Sequence, residues 1–143
     1  MQKIQKRRDR TLLADAQFKY KLSLMSILLQ FGCDVDPISA FGTTPLMQAC
    51  TRNRLDLDAR LLLEWGAGTS KGRGLIGKAI GCGNIGLSLL LQTELGGRRC
   101  DIMGLQNCTD LKGLMGVVEK YVLKAERYVI VLETLDEKCV FAQ

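Results

Sequence analysis

Apolar residues return along this chain at helical spacing, and the helices they define return at a fixed step. Leu22, Met25, Leu28 and Leu29 fall on one face of a helix. Leu57, Leu61, Leu62 and Leu63 mark a second such helix. Each stretch runs into a glycine, Gly32 or Gly66. Glycine stops a helix because it enters the left-handed backbone region without a side-chain clash. A frame Thr-x-Leu-x-x-Ala precedes each stretch, at Thr11–Ala16 and Thr44–Ala49, 33 residues apart. A third copy, Gly74-Leu75-Ile76-Gly77-Lys78-Ala79, starts 30 residues after Thr44. The step predicts three consecutive helix pairs, each with an inner helix at the frame and an outer helix behind it.

Polar residues sharpen the boundaries. Thr44 can accept a hydrogen bond from the free N–H groups of a first turn, and Pro45 tolerates that turn because its own N–H is not needed there. Asp36-Pro37 signals a turn ahead of that helix. Arg52-Asn53-Arg54 is the expected inter-helix turn of the second pair, since Asn tolerates the left-handed region. Ala49 to Gly66 is one residue longer than Ala16 to Gly32, which predicts a bulge or slipped turn around Leu55–Asp58. The third pair carries Gly72, Gly74, Gly77, Gly81, Gly83 and Gly86. Each glycine inside a helix costs about 0.5–1 kcal/mol relative to alanine, so this pair is expected to be the softest.

Beyond Thr109 the pattern changes. Leu111, Leu114, Met115, Val118, Val122, Ala125, Val129, Leu132 and Leu135 keep a helical stripe, with Thr109 or Asp110 as its cap. This predicts a C-terminal helix that seals the stack, or a decayed fourth repeat. Val129-Ile130-Val131-Leu132 also fits a short strand, and periodicity alone does not separate the two for so short a run.

Composition narrows the class. Of 143 residues, 47% are hydrophobic and 24% charged, which suits a packed core and excludes a chain disordered throughout. No apolar run approaches the roughly 18 residues of a membrane span, and the basic start has no apolar segment behind it to act as a secretory signal. The net charge of +5 is uneven: residues 1–10 carry +4, 11–51 carry −1, 52–99 carry +4 and 100–143 carry −2. The basic character lies in a tail and in the middle repeats. The tail reads first as a solvated start, and otherwise as a localisation signal or an anionic-partner patch.

The cysteines Cys33, Cys50, Cys82, Cys100, Cys108 and Cys139 include no CxxC pair, and the chain has no histidine. Nothing in this spacing makes a zinc site, and no metal or cofactor is expected. Thiols without a secretory signal point to a reducing compartment, so the expected location is intracellular, cytoplasmic or nuclear.

At these residues the chain resembles the ankyrin-repeat family. The Thr-Pro-Leu core at 44–46 and the Leu-Leu-x-x-Gly tails at 28–32 and near 62–66 carry the resemblance, which covers roughly residues 11–97. It departs from the family pattern at Met47, where the family usually has histidine, at Asn53-Arg54 and Gly83-Asn84, where the family usually has Gly-His, and in lacking a first hairpin. The missing hairpin and abrupt start lead to the expectation of a fragment of a longer repeat array, or of a divergent or truncated gene product.

The resemblance implies an all-α fold, an ankyrin-type helix-turn-helix repeat solenoid with short hairpin fingers and a C-terminal capping helix. Its divisions are a basic tail 1–10, repeats at 11–34, 35–68 and 69–97, and a linker with the capping helix or decayed repeat at 98–143. It also implies a protein-binding scaffold whose concave face is made of hairpin tips and inner helices. Carried over by position, the contact candidates are Asp36, Ile38, Ser39 and Phe41 on the hairpin. Met47, Gln48, Thr51 and Arg52 follow on the second inner helix, and Lys71, Arg73, Lys78 and Cys82 on the third. As a set they are basic, which favours a protein partner with an acidic surface. Trp65, ahead of Gly66, is expected to pack against the outer edge of the stack.

Catalytic readings are weaker. Gly81-Cys82-Gly83-Asn84-Ile85-Gly86 matches GxGxxG, and Asp101 lies 20 residues after Gly81. A dinucleotide site needs a buried strand ending at that acid, and Leu95 to Cys100 is not one. Cys or Ser nucleophiles usually draw on a histidine base, and there is none. Asp56 and Asp58 read as the solvated side of an outer helix. The expectation is therefore a binding module and no enzyme. The alternative is a basic module contacting nucleic acid or another polyanion, although the aromatics lie away from the main basic cluster.

Overall fold

The structure is a computed structural model that describes residues 12–19, 21–52, 56–69, 72–103, 109–133 and 138–142. Six helices come first: α1 (12–18), α2 (Leu22–Gln30), α3 (Pro45–Cys50), α4 (Asp56–Glu64), α5 (Gly72–Gly81) and α6 (Ile85–Leu91). Four strands follow: β1 (Arg99–Asp101), β2 (Met115–Val122), β3 (Arg127–Leu132) and β4 (Lys138–Ala142). They form one sheet in the order β1-β2-β3-β4, antiparallel throughout.

The helices start and stop where local chemistry dictates. The Thr44 side chain accepts from Met47 N–H at 3.3 Å, with Pro45 in the first turn of α3. Asn84 accepts from Leu87 N–H at 3.1 Å and opens α6 in the same way. α2, α4 and α5 share one ending. Gly32, Gly66 and Gly83 have φ of 81°, 86° and 76°. At each, the glycine N–H donates to Leu29, Leu63 or Ile80, and the next N–H donates to Leu28, Leu62 or Ala79. These paired bonds occupy carbonyls that the helix end would otherwise leave open.

One apolar cluster joins the helices. It runs from Leu13 and Ala16 through Met25, Leu46 and Leu62 to Ala79, Leu87 and Leu90, and Trp65 is packed partly buried against it. Contacts between successive pairs come at nearly the same step. Gln17 Nε2 donates to Pro45 O at 2.9 Å, and Cys82 Sγ donates to Thr51 O at 3.2 Å.

The expected all-α fold is corrected by the sheet. The region predicted as a capping helix or decayed repeat holds β2, β3 and β4, and β1 lies in the predicted linker. The physical reason is twofold. Val117, Val118, Val122, Val129, Ile130 and Val131 are β-branched, and Tyr121 packs against Tyr128 across strands with ring centres 4.7 Å apart and planes tilted by 52°; such side chains favour a pleated surface. Spacings of four residues fall on one face of a regular strand as well as of a helix, so the helical stripe was ambiguous. A bulge at Glu119, between Val118 and Lys120, then breaks the plain alternation that would have exposed the strand. The finger at 35–44 is a turn closed by Ser39 N–H to Thr43 O and Gly42 N–H to Ser39 O, and it pairs with no strand.

Helices and sheet meet at Gly96-Gly97-Arg98. Gly97 N–H donates to Val118 O and Val118 N–H donates back to Arg98 O, at 2.8 and 3.0 Å. The Arg98 guanidinium reaches the other way, to Leu63 O at 3.1 Å and Ala67 O at 2.7 Å. It places a cation on carbonyls at the C-terminal end of α4, where the helix dipole favours one.

Candidate functional site

The turn ahead of α3 is braced from within. Ser39 Oγ lies 2.8 Å from Thr43 Oγ1 and accepts from Phe41 N–H and Thr43 N–H. Gln48 Nε2 reaches back from α3 to Thr43 Oγ1 at 3.3 Å. Asp36 accepts from Gly68 N–H, and its own N–H donates to Asp34 Oδ1. Three of the predicted contact residues, Asp36, Ser39 and Gln48, therefore use polar atoms inside the molecule. The other two on this turn do the reverse: Ile38 is 61% exposed and Phe41 92%.

A second group of predicted residues gathers where helices of neighbouring pairs end. Arg52 lies over the Phe18 ring, 5.4 Å from its centre, linking the ends of α1 and α3. Cys82 Sγ donates to Thr51 O at 3.2 Å, linking the ends of α5 and α3. Thr51 and Lys78 are exposed, and Lys78 lies four residues before Cys82 in the last turn of α5. Phe18, Arg52, Thr51, Cys82 and Lys78 thus form one continuous edge that is basic and part aromatic. Met47 is half-buried against the core. Lys71 and the side chain of Arg73 lie outside the described residues.

Two exposed aromatics were missed by the sequence reading of this surface, Phe18 at 64% and Phe31 at 85%. Phe31 stands immediately before the helix-ending Gly32, a position where the chain leaves the core; that placement was the available signal. Phe18 carries none, because its partner Arg52 is distant in sequence.

Burial governs the nearby thiols and acids. Cys50 is fully buried at the end of α3, and burial pushes its thiol up to about 11 while Lys78 pulls it part of the way down. It is a packing residue, inert as a nucleophile at neutral pH. Asp58, 5% exposed in α4, is raised above the usual carboxylate range by burial. The glycines of the GxGxxG match join α5 to α6, with a helix where a dinucleotide fold needs a strand. Among the described residues no group of three or more His, Cys, Asp or Glu could hold a metal ion, and no helix is long and apolar enough to cross a membrane.

No family model, curated protein or solved structure matches the chain.

Proposed function

We propose that the helix-pair region is a non-catalytic protein-binding module for a partner with an acidic surface. The observation that carries this reading is the braced turn, which spends its polar side chains internally and leaves Ile38 and Phe41 outside. A rigid turn that displays an aliphatic and an aromatic side chain loses little entropy on binding, and exposed aromatics are the usual anchors of interfaces. The edge formed by Arg52 and Lys78 adds positive charge, which speeds encounter with an acidic partner and sets its orientation. The likeness of the Thr-Pro-Leu and Leu-Leu-x-x-Gly frames to those of ankyrin-repeat proteins supports the same role for the helix pairs.

The test is affinity capture from cell extract in the presence of nuclease. Three chains are compared: the parent, Ile38→Ser with Phe41→Ser, and Arg52→Glu with Lys78→Glu, each checked by circular dichroism. All four sites are at least partly exposed, so the fold should survive. A protein held by the parent, lost by the first variant and weakened in the second is the expected result. Equal retention by all three would overturn the assignment. Capture that appears only in a parallel extract without nuclease, and collapses steeply with salt, would replace it with polyanion binding.

A further inference from the structure

The hairpin that joins β2 to β3 ends in a tight turn over Leu123–Ala125, closed by Glu126 N–H to Leu123 O at 3.4 Å. β1 pairs only with the far end of β2, Met115 to Val117, and leaves this tip clear. β4 comes up to Arg127 with Ala142, which brings no side-chain charge. Leu123 to Arg127 are exposed without a break. Leu123 is 83% exposed, the most exposed large apolar side chain of the sheet half among the described residues. Behind it Tyr121 and Tyr128 meet across the strands, both half-buried. Lys120, Lys124 and Arg127 lie around it, all exposed, with one acid among them, Glu126. Among the described residues none of these three cations is held in an ion pair. The next acid along β2, Glu119, lines the space beside α4 and is not part of the tip. The register puts Lys120 beside Val129 and Arg127 beside Val122, so these two share the face opposite to the tyrosines.

We propose that this tip docks end-on onto an anionic lipid surface, with Leu123 entering the boundary between headgroups and acyl chains. Chain geometry sets the depths. Tyr121 lies behind Leu123 by about 7 Å along the strand. With Leu123 at the acyl boundary, the tyrosines come to headgroup level, where a ring with a polar hydroxyl end is favoured. The long stems of Lys124 and Arg127 lie along the apolar layer while their charges stay at the phosphates. Two features separate lipid from other polyanions. A nucleic-acid strand stacks its bases on aromatics while cations of the same groove hold its backbone. Here the tyrosines and the pair Lys120 and Arg127 are on opposite faces, so a strand lying along the sheet meets one set only. A surface approached from the end meets both. An apolar apex also gains nothing from phosphates, whereas it gains by leaving water for acyl chains. One leucine and a small surplus of positive charge make a weak anchor, so the contact is reversible and needs anionic lipid. It lies on the bilayer and not across it, and no described helix is long and apolar enough to cross one.

The experiment is sedimentation of the full chain with vesicles of phosphatidylcholine, with and without phosphatidylserine. Binding to the mixed vesicles and none to phosphatidylcholine alone is expected. Lys124→Ala with Arg127→Ala should lower the affinity more than tenfold, at about fivefold for each charge near the surface. Leu123→Ser should lower it about tenfold, and Leu123→Trp should raise it. All three positions are exposed, and circular dichroism checks each fold. Insertion is read separately in the parent by NMR. A lipid spin-labelled in its acyl chain should broaden the methyl signals of Leu123 and spare those of Leu12 and Leu89, which are exposed on helices. Equal binding by parent and variants would overturn the proposal, because the contact would then lie elsewhere, as on the basic stretch of residues 1–10. No binding to either vesicle, or broadening of Leu12 equal to that of Leu123, would overturn it as well. A single-stranded oligonucleotide bound through the same residues more tightly than the vesicles would reassign the tip to nucleic acid.

Discussion

The helical and sheet halves are held together in different ways. In the helical half the same few devices recur. Gly32, Gly66 and Gly83 close three helices by one pattern of hydrogen bonds, and each pair is tied to the next by a bond, Gln17 to Pro45 and Cys82 to Thr51. The buried cluster from Leu13 to Leu91 crosses all six helices. In the sheet half each strand is fixed by its immediate neighbour. Its buried residues, Ile102, Val118, Val129, Ile130 and Leu132, stand outside that cluster. The sheet therefore depends on the short junction at Gly96-Gly97-Arg98 for its position against α4 and α6. Damage to a repeat should stay local and graded; damage to the junction should detach the sheet.

The largest expected effect is at Gly96. A β-carbon there would collide with the backbone oxygen of Leu90 and come within 2.7 Å of Thr93 Oγ1. Because one obstacle is backbone, the chain must move. Gly96→Ala is expected to cost at least about 3 kcal/mol, read as a lowered urea midpoint. A loss under 1 kcal/mol would mean that the junction yields easily and that the two halves are less tightly joined than described.

Asp58 offers a smaller effect of opposite sign. Its Oδ2 is buried and meets no hydrogen-bond donor among the described residues. Burial raises its native pKa, so the folded state binds the proton more tightly than the unfolded chain. Its charge therefore costs stability above that native value, and the cost disappears as pH falls toward the unfolded value of about 3.9. Asp58→Asn is expected to stabilise the protein by about 1 kcal/mol at neutral pH, with the dipole of α4 limiting the gain. The advantage over the parent should shrink in thermal melts as pH drops through the carboxylate range. A variant less stable than the parent at neutral pH would show that the carboxylate is needed.

The smallest effect tests the third pair. Gly77 sits exposed in α5, and a β-carbon there meets nothing within 4 Å. Gly77→Ala should add about 0.5–1 kcal/mol by raising helix propensity. No gain would argue that α5 is not the soft element its glycines suggest.

Much of the helical half was legible because its rules are local. A glycine after an apolar face, or a Thr-Pro step before one, acts within a few residues of itself. That is why Gly32, Thr44 and Pro45 do what their neighbours predict. The display turn was legible only in part. Ile38 and Phe41 are exposed, whereas Asp36, Ser39 and Gln48 are drawn inward by hydrogen bonds, and a polar side chain does not announce which it will do. The expected bulge at Leu55–Asp58 falls partly outside the described residues, and Asp56 to Asp58 are helical. The sheet half was misread as a helix, apart from the strand alternative at Val129–Leu132, which lies in β3; its apolar spacing satisfies both periods, and the deciding signal was the density of valine and isoleucine between Val117 and Val131. Arg98 carried no signal at all. Its partners, Leu63 O and Ala67 O, are reached only after the chain has folded back on α4.

The most direct test of this two-part description is hydrogen exchange on Arg98→Ala, compared residue by residue with the parent. Removing the guanidinium breaks the bonds to Leu63 and Ala67 without touching the core of either half. The expected result is lost protection in β1 and the first half of β2, with the amides of α2 and α3 exchanging as before. Equal loss across helices and sheet would contradict the description, since it would mean that the chain unfolds as one undivided unit.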